Sequence, residues 1–374
     1  MFPSTVPIRA EITAAVLRAA TDAGFDVAGI APVEDSPELE YFPRWIAEGH
    51  AGEMKYLEGR DPQGRLKRAS LGNVAPWARS VVVCAINYNT AQPYSTQAAE
   101  GSAEVRERGW ISRYAWGEQD YHESVMQRLR KVEAAVKNAS GLDDPVTRCY
   151  VDTGPIVERV LAKYAGIGWI GKNTCIINQK LGSWLFLGVI LTSLELEAGL
   201  PAPDRCGTCT RCIDACPTDA FLAPYQLDSN KCISYLTIEK RGEIPEELRS
   251  GMGRHIFGCD ICQDVCPWNR KAPATNAAEF QPRAELVNPA LDWLAEISAE
   301  EFRRRFRNSP LQRAKRTGVR RNAVIAMGNR GDRDFLPLLE KLSADEDEVV
   351  AESAAWAVRK LAATRTKNKS DRSG

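Results

Sequence analysis

Two cysteine runs in the second half of the chain constrain its fold more than any other feature. The first has the spacing CxxCxxCxxxCP over 206–217, and the second has CxxCxxxCP over 259–267. The first spacing is that of bacterial ferredoxins, in which three close cysteines bind one [4Fe–4S] cluster and the fourth ligates another. The two runs therefore predict two clusters in one chain, about one electron-transfer distance apart.

The number of cysteines identifies an eighth ligand. Two cubane clusters need eight thiolates, whereas the two runs supply seven. The second run has Ile256 where a further cysteine is expected, and Cys232, which lies between the runs, is the natural replacement. In ferredoxins the last cysteine of each run crosses to the other cluster. This rule predicts two ligand groups: Cys206, Cys209, Cys212 and Cys266 in the first, and Cys216, Cys232, Cys259 and Cys262 in the second.

Zinc and disulfide bonds are the alternative uses of these cysteines. Structural zinc prefers four thiolates from separated CxxC pairs, which the CxxCxxCxxxCP run fits poorly. A disulfide framework is typical of small secreted domains, and this chain has 374 residues. The other three cysteines, Cys84, Cys149 and Cys175, lie in apolar segments, where the simplest interpretation is that they are small buried hydrophobic residues.

Length and composition indicate a protein of two or three domains in the cytoplasm. The longest apolar stretch, 184–194, is too short to span a bilayer. Arg9 and Glu11 stand where a secretory signal would have its apolar core. A reducing compartment also suits thiolate-bound clusters. We therefore expect a cytoplasmic protein.

The order of predicted elements divides the chain into three folded parts. Helical patterns at 8–23, 121–138 and 155–165 interleave with strand patterns at 25–33, 80–88, 148–151 and 184–194, which predicts an α/β domain over 1–195. The cysteine runs lie in a second domain over 196–284. The remainder, 285–364, is predicted to be helical, and the polar tail 365–374 to be disordered.

The helical part contains an internal repeat. VRRNAVIAMGN from 319 aligns with VAESAAWAVRK from 350, with small residues at matching positions. Small residues at fixed helix positions allow close stacking, as in HEAT-type arrays. Because about two such repeats fit in the chain, they must pack against the other domains.

A basic stretch precedes and enters the first repeat. Residues 303–321 contain nine arginines or lysines and no acidic residue, although the formal net charge of the chain is zero. Such a patch can bind phosphate groups of a nucleic acid. The alternative is a solvated helical face, which the sequence alone favours.

Three loops are candidates for the chemistry. Asp152, in VDTGP, follows a predicted strand and precedes a predicted helix, which is where α/β sheets present ligands. Spacing alone favours a helix-capping role for this aspartate. The glycine-rich turn 166–177 and the polar, aromatic segment 111–122, which includes His122, are weaker candidates, and each also fits an ordinary structural loop.

Several longer segments together resemble the epoxyqueuosine reductases, a family of cobalamin-dependent enzymes in tRNA modification. The resemblance covers nearly the whole chain. It is carried by FPRWIAEGHAGEMKYLEGR (42–60), ISRYAWGEQDYH (111–122), VDTGPIVER (151–159), GIGWIGKNTCIIN (166–178), CISYLTIEKRGEIPEELR (232–249) and GCDICQDVCPWN (258–269), in addition to the cysteine runs. Cys232 opens one of these segments, in agreement with its assignment as a ligand.

The resemblance implies a multidomain α+β protein: a nitroreductase-like domain that binds cobalamin, a ferredoxin-like domain with two [4Fe–4S] clusters, and HEAT-like helices. It implies that Asp152 is the proton donor, with a pKa raised by burial. The expected corrinoid contacts are Arg113, Tyr114, Asp152, Asn173, Ile176, Leu187, Ser234 and Asp260. The expected RNA contacts are Lys240, Arg241, Arg316, Arg320 and Arg321. With no cobalt-binding histidine motif visible, we expect base-off cobalamin without a histidine ligand.

The implied reaction is the two-electron reduction of epoxyqueuosine to queuosine at the tRNA wobble position, with the epoxide oxygen lost as water. Electrons would come from an external low-potential donor, and the protein would act as a monomer away from membranes. A cobalamin-dependent reductive dehalogenase and a ferredoxin-type electron-transfer subunit are the rival interpretations. Stoichiometric cobalamin binding would separate the enzymes from the electron-transfer subunit.

Overall fold

The computed structural model describes residues 9–97, 107–139 and 145–370 of the chain. The strands are β1 (Val27–Ala31), β2 (Ser80–Asn87), β3 (Trp110–Ile111), β4 (Thr147–Tyr150), β5 (Trp169–Ile170), β6 (Ile176–Ile177), β7 (Leu185–Thr192), β8 (Phe221–Ala223), β9 (Gln226–Leu227) and β10 (His255–Phe257). The α-helices of the first half are α1 (Arg9–Asp22), α2 (Pro37–Ala47), α3 (Tyr121–Ala139) and α4 (Glu158–Tyr164). Those of the second half are α5 (Arg211–Asp214), α6 (Ile233–Ile238), α7 (Glu246–Arg249), α8 (Ile261–Asp264), α9 (Leu291–Glu296), α10 (Ala299–Arg305), α11 (Lys315–Arg330), α12 (Leu336–Leu342) and α13 (Glu348–Ser370).

A sheet of four strands, in the order β1-β2-β7-β4, organises the first domain. Each neighbouring pair is antiparallel, with β2 and β7 paired along their whole length from Ser80↔Thr192 to Asn87↔Leu185. The interleaved helix and strand patterns of the sequence agree with these elements. They do not specify strand direction, because crossover helices and long antiparallel connections give the same alternation.

Both faces of the sheet are covered by apolar side chains. Helices α1 and α3 pack on one face, where Val16, Leu129 and Ile190 belong to one buried cluster. Helix α4 packs on the other face, against Val83 and Val189. A central sheet covered on both sides excludes water from its strands, so the loops at the strand ends start from rigid positions.

The cysteine-rich segment is joined to the first domain through a short parallel pairing of β3 with β10. Trp110 and Phe257, on these strands, are fully buried in a core that extends into the helical part of the chain. The short helices α5 and α8, each within one cysteine run, contact each other. The two runs therefore come together although they are far apart in the sequence.

Helices α11 and α13 pack closely and contain the repeated sequences. The matching residues Val319 and Val350 are both fully buried. A Cβ atom at Gly328 would approach Ala357 to 2.8 Å, so the glycine allows the close helix contact. Helix α13 continues to Ser370, whereas the sequence predicts a disordered tail from residue 365 onwards. Residues 371–374 of that tail lie outside the described residues.

Nothing in the described ranges 9–97, 107–139 and 145–370 forms a helix that is both long and apolar enough to cross a membrane.

Candidate functional site

Asp152 lies in a strained loop directly after β4. Its φ of 56° is in the left-handed region, which is unfavourable for a residue with a side chain although aspartate tolerates it better than most. Helix α4 begins only at Glu158, and its N-cap residue Val157 makes no side-chain cap. The capping interpretation of Asp152, and the helix start at Pro155, are therefore wrong. The chain first forms a loop, in which the carboxylate accepts a hydrogen bond from Tyr121 instead of capping α4.

The carboxylate of Asp152 is held by residues at the start of α3. Tyr121 donates its hydroxyl hydrogen to Oδ2 at 3.0 Å. The Nε2 atom of His122 lies 3.8 Å from the same oxygen, and its Nδ1 atom lies 2.6 Å from Oδ1 of Asp120. His122 thus stands between two carboxylates. The backbone N–H of Asp152 donates to Oε1 of Glu158 at 2.7 Å, which fixes the loop from the other side.

The pKa values of this group place the resting proton on His122. Partial burial favours the neutral form of Asp152, but hydrogen bonds from His122 and Tyr121 outweigh it and leave the pKa of Asp152 below its ordinary value. Burial lowers the pKa of His122, yet the hydrogen bonds to Asp120 and Asp152 raise it to about 9. The raised pKa expected for Asp152 depends on burial against a corrinoid face and stays a prediction, since the uncovered carboxyl has a lowered pKa.

Asp152, with Tyr121, His122 and Glu158 around it, lies at an open part of the surface that we call the cleft. Its side chain is 70% exposed, although the surrounding protein partly desolvates it. Burial and the nearby charge of Asp152 raise the pKa of Glu158 to about 8. Sequence reasoning missed the roles of Tyr121 and Glu158. Glu158 is only six residues after Asp152, so its proximity could have been inferred from the sequence. Tyr121 is 31 residues before Asp152, and nothing in the sequence indicates that the two side chains meet.

One wall of the region is apolar and incompletely covered. Leu185 and Leu187 are only half-buried, although β7 is an inner strand of the sheet. They belong to the same apolar cluster as the buried Ile176 of β6. Of the predicted corrinoid contacts, the structure thus brings Ile176 and Leu187 together. Such a wall suits the flat, largely apolar face of a macrocycle better than a small polar ligand.

Two predicted corrinoid contacts are buried and hydrogen-bonded within the protein. Arg113 is 2% exposed, and its guanidinium donates to the carbonyl oxygens of Thr90, Gln92 and Pro93. Asp260 is 1% exposed and accepts hydrogen bonds from Trp110, Ser112 and the backbone of Arg113. Asp260 thereby fixes the 110–113 segment, and the Nη atoms of Arg113 fix the 90–93 segment, while its buried Nε has no hydrogen-bond partner among the described residues. Their contact with a corrinoid stays a prediction.

The remaining predicted contacts lie at the junction with the cysteine runs. Tyr114 packs at a ring distance of 5.8 Å from Tyr121, which connects it to the Asp152 group. Asn173 is buried and donates to the carbonyl of Cys262 at 3.3 Å. Ser234 is half-buried on α6, two residues after Cys232. The junction therefore lies against the second predicted ligand group.

The thiols of the first predicted group lie close together. Burial and the nearby thiolates of Cys206 and Cys209 together raise the pKa of Cys212 to about 11. Burial likewise raises the pKa of Cys266 to about 11, with added repulsion from Cys206 and Cys212. Electrostatic coupling of this kind needs short separations. Cys266, from the second run, and Cys206, from the first, belong to one apolar cluster, and the division of the ligands between two clusters stays a prediction.

The second predicted group converges in the same way. Burial raises the pKa of Cys259, with contributions from Cys232 and Cys216. Cys262 is close to Cys259 and Cys232, and closest to Cys175. Cys175 therefore borders this group instead of filling an ordinary core. Among the residues that the structure describes, no three His, Cys, Asp or Glu side chains are spaced to hold a single metal ion.

The basic stretch does not form one surface. Arg320 is 4% exposed and pairs with Asp345, while its Nε donates to the carbonyl of Ala295. Arg321 is 1% exposed and donates to the carbonyls of Leu236, Lys240 and Gly242. The prediction that these two arginines contact RNA is corrected. A buried guanidinium must have its hydrogen bonds satisfied within the protein, and these are.

The other predicted RNA contacts remain nearer the surface. Arg316 is half-buried, with Nε donating to the carbonyl of Ile297 at 2.7 Å. Arg241 is exposed and donates to the carbonyl of Arg313 at 2.7 Å. Lys240 pairs with Glu53. These side chains have solvent on one side and are available to phosphates, which the two buried arginines are not.

The fold and the cysteine segment define the class of iron–sulfur oxidoreductases. A family model described as a 4Fe-4S double cluster binding domain matches residues 205–269, and one described as epoxyqueuosine reductase QueG matches residues 68–153. The second match ends immediately after Asp152. It therefore contains the segment of Tyr121 and His122 as well as the strained loop.

Similar proteins cover almost the whole chain. The epoxyqueuosine reductase of Xanthomonas campestris pv. campestris is 38% identical over 94% of this chain and 97% of its own. The crystal structure of an epoxyqueuosine reductase with a tRNA-Tyr epoxyqueuosine-modified stem loop has a TM-score of 0.81 at 32% identity, covering 92% of this chain and 89% of that one. An epoxyqueuosine reductase from Bacillus subtilis, with an aspartate-bearing catalytic loop swung out of its active site, has a TM-score of 0.80 at 32% identity, with the same coverage. The chain belongs to the epoxyqueuosine reductase family.

Proposed function

We propose that this protein reduces epoxyqueuosine to queuosine at the wobble position of tRNA. The observation that carries the proposal is the strained Asp152 loop with Tyr121 and His122 at its carboxylate. Backbone strain of this kind is retained where function requires it. Membership of the family indicates the substrate, since the crystal structure of a relative contains an epoxyqueuosine-modified tRNA stem loop.

The reaction balances with two electrons and two protons. Both carbon–oxygen bonds of the epoxide break, a carbon–carbon double bond forms, and the oxygen leaves as water. Oxygen leaving from carbon needs protonation, for which Asp152 is the acid. Because His122 holds the proton before substrate binds, Asp152 must receive it when the bound nucleoside displaces water. Loss of water raises the pKa of a carboxyl and favours this transfer.

We further propose two [4Fe–4S] clusters with the ligand groups given above. The mutual pKa shifts of the thiols support this division. Cys232→Ala should leave anaerobically reconstituted protein with fewer than eight irons, because the second cluster loses a ligand. Cys175→Ala is the matched control, since it removes a thiol that touches Cys262 but is not a proposed ligand. Two intact cubanes in Cys232→Ala would contradict the assignment.

Cobalamin is the proposed second cofactor. The apolar wall with Ile176 and Leu187 fits a corrin face, and Tyr114, Asn173 and Ser234 would surround its edge. When bound, cobalamin supplies a low-valent cobalt centre for the reductive step. These residues would hold it between the second ligand group and Asp152.

The histidines predict how cobalt would be ligated. His122 is occupied by Asp120 and Asp152, His255 is buried and hydrogen-bonded to the carbonyl of Met252, and His50 lies between Glu48 and Asp228. We therefore expect base-off cobalamin with no histidine ligand. Electron paramagnetic resonance of the Co(II) form should lack nitrogen superhyperfine splitting, and such splitting from an imidazole would contradict this part of the proposal.

The tRNA would lie across the cleft and the surface at Lys240, Arg241 and Arg316. Arg320 and Arg321 have no place in this contact, because both are buried. Electrons would enter from an external low-potential donor in the cytoplasm, with the protein acting as a monomer. A single-stranded loop allows the modified base to be turned out at low cost.

Anaerobic turnover of tRNA that carries epoxyqueuosine tests the function directly. Reconstituted protein with cobalamin and a chemical reductant should convert it to queuosine, detected by mass spectrometry of the digested nucleosides. Omission of cobalamin should abolish conversion. A plain electron-transfer subunit would convert nothing under either condition, and a dehalogenase would instead release halide from a halogenated phenol.

A further inference from the structure

A tyrosine ring is exposed at the margin of the cleft. Tyr56 lies on a short 3-10 turn, Lys55–Glu58, and is 50% exposed. Among the described residues, Tyr56 and Tyr225 are the aromatic side chains with the largest exposure. The proposed chemistry does not use the ring of Tyr56. Its surroundings indicate what it could contact.

Two arginines flank the ring of Tyr56. The guanidinium carbon of Arg313 lies 5.2 Å from the ring centroid, and that of Arg68 lies 5.8 Å from it. Both arginines are held in place. Arg68 donates from Nη1 to the carbonyl of Tyr56 at 2.9 Å, and Arg313 forms a two-pronged ion pair with Glu239. The ring is therefore presented in one orientation within a cationic frame.

Arg68 also connects this frame to the reaction site. Its Nη2 atom donates to the carbonyl of Gly154 at 2.9 Å, two residues after Asp152. Arg68 thus bonds to the Tyr56 turn through Nη1 and to the Asp152 loop through Nη2. When a nucleoside of an RNA strand is bound at Asp152, the adjacent nucleoside of that strand would therefore be within reach of Tyr56.

We propose that Tyr56, framed by Arg68 and Arg313, is a stacking platform for an unpaired base of the RNA, next to the nucleoside that reacts at Asp152. The proposal rests on the proposed function. An exposed ring in a cationic frame matches single-stranded RNA, whose bases stack on aromatic rings while arginines attract the phosphates. A protein partner would require a wider apolar surface than a single ring. The platform would hold the loop open while the modified base occupies the cleft.

Matched substitutions of Tyr56 test the platform. Tyr56→Phe keeps the ring, and Tyr56→Leu keeps an apolar side chain without a π face. Tyr225, which is 41% exposed and bonded to Asp204, provides a control in Tyr225→Leu. Each variant is first checked for unchanged iron content. Affinity for an unmodified anticodon stem loop should fall about tenfold in Tyr56→Leu, the scale of one lost base stack, and stay within about threefold of wild type in the other two.

Two further measurements separate stacking from charge. Stem loops with 2-aminopurine on either side of the wobble nucleotide should show quenched fluorescence on one side when bound to wild type or Tyr56→Phe, and the quenching should be lost with Tyr56→Leu. The slope of affinity against salt should be unchanged in Tyr56→Leu, because no phosphate contact is removed.

The outcomes distinguish this inference from the proposed function. Equal affinity and equal quenching for wild type and Tyr56→Leu would overturn the platform, while turnover by wild type leaves the function standing. A shallower salt slope in Tyr56→Leu would also overturn it, since the ring would then act only by positioning the two arginines. A wild-type protein that neither binds the stem loop nor reduces the modified tRNA overturns the function, and the platform with it.

Discussion

The cleft at Asp152 and the helical region at Arg321 handle charge in opposite ways. In the cleft, Asp152 is 70% exposed and its partner His122 has a pKa raised to about 9. In the helical region, Arg321 is 1% exposed and its guanidinium is surrounded by carbonyl oxygens and the side chain of Asn322. The first arrangement keeps a proton mobile and accessible. The second keeps a charge fixed and out of reach.

The difference shows that charge along a sequence does not indicate charge at a surface. Arg313 and Arg321 belong to the same basic stretch, yet the side chain of Arg313 is half-exposed beside Tyr56. Arg321 instead joins the helical region to the loop after α6. A guanidinium whose donors are already used internally has little left for a phosphate. Only residues with donors directed to solvent contribute to recognition.

The largest expected effect is on turnover in the cleft. Asp152→Asn keeps the shape of the side chain but has no carboxyl proton to give, so turnover should fall at least ~100-fold, the scale of general acid catalysis. Single-turnover assays under anaerobic conditions measure this. Iron content, cobalamin binding, tRNA affinity and thermal midpoint should all match wild type. Near-normal turnover would remove Asp152 from the mechanism and leave the cleft without an acid.

The second effect is on stability in the helical region. Arg321→Met leaves the carbonyls of Leu236, Lys240 and Gly242 without their donor, which should cost about 3 kcal/mol. The thermal midpoint should fall by roughly 5 °C, as measured by differential scanning fluorimetry. Arg313→Met, the same substitution at an exposed position, should change it by about 1 °C or less. Equal shifts of the thermal midpoint in the two variants would mean that the buried hydrogen bonds of Arg321 add no more stability than the exposed ion pair of Arg313.

The same contrast explains what the sequence predicted well. Cysteine spacing is local chemistry, so the iron–sulfur domain follows from the two runs and is confirmed by the family model over residues 205–269, while the division of ligands stays a prediction. The strands β2 and β7 follow from their apolar runs and were predicted within two residues. Helices pack on both faces of the sheet, so the apolar residues of these two strands are buried on either side.

Long-range properties were not predictable in this way. The pKa of Asp152 depends on Tyr121 and His122, which are distant in sequence and meet it only when α3 packs on the sheet. The burial of Arg320 depends on Asp345, 25 residues later. Pro155 suggested a helix start, but the Asp152 loop takes those residues first. In each case tertiary contacts outweighed a local preference.

A third prediction concerns pH and the ion group of the cleft. Because the folded pKa of His122 is about 9 and the unfolded value about 6.5, its contribution to stability is complete below pH 6.5 and is lost as pH rises through 9. The His122 side chain is 34% exposed, so solvent screening reduces the contribution to about 1 kcal/mol. Thermal midpoints of wild type and His122→Gln should differ most at pH 6 and converge by pH 10. A constant difference would mean that His122 acts through packing alone.

The smallest expected effect is at Lys240, where the two regions meet. Its carbonyl accepts a hydrogen bond from the buried Arg321, while its ammonium pairs with Glu53 at the surface. Lys240→Gln keeps the backbone contact and removes only the exposed charge, so the thermal midpoint should move by less than about 1 °C. If Lys240 meets a phosphate, tRNA affinity should fall a few-fold, and the slope of log K against log salt should become shallower by about 0.7. Lys341→Gln is the matched control, because Lys341 is also a surface lysine paired with a glutamate, Glu296. Identical slopes in both variants would confine RNA recognition to the arginines and to Tyr56.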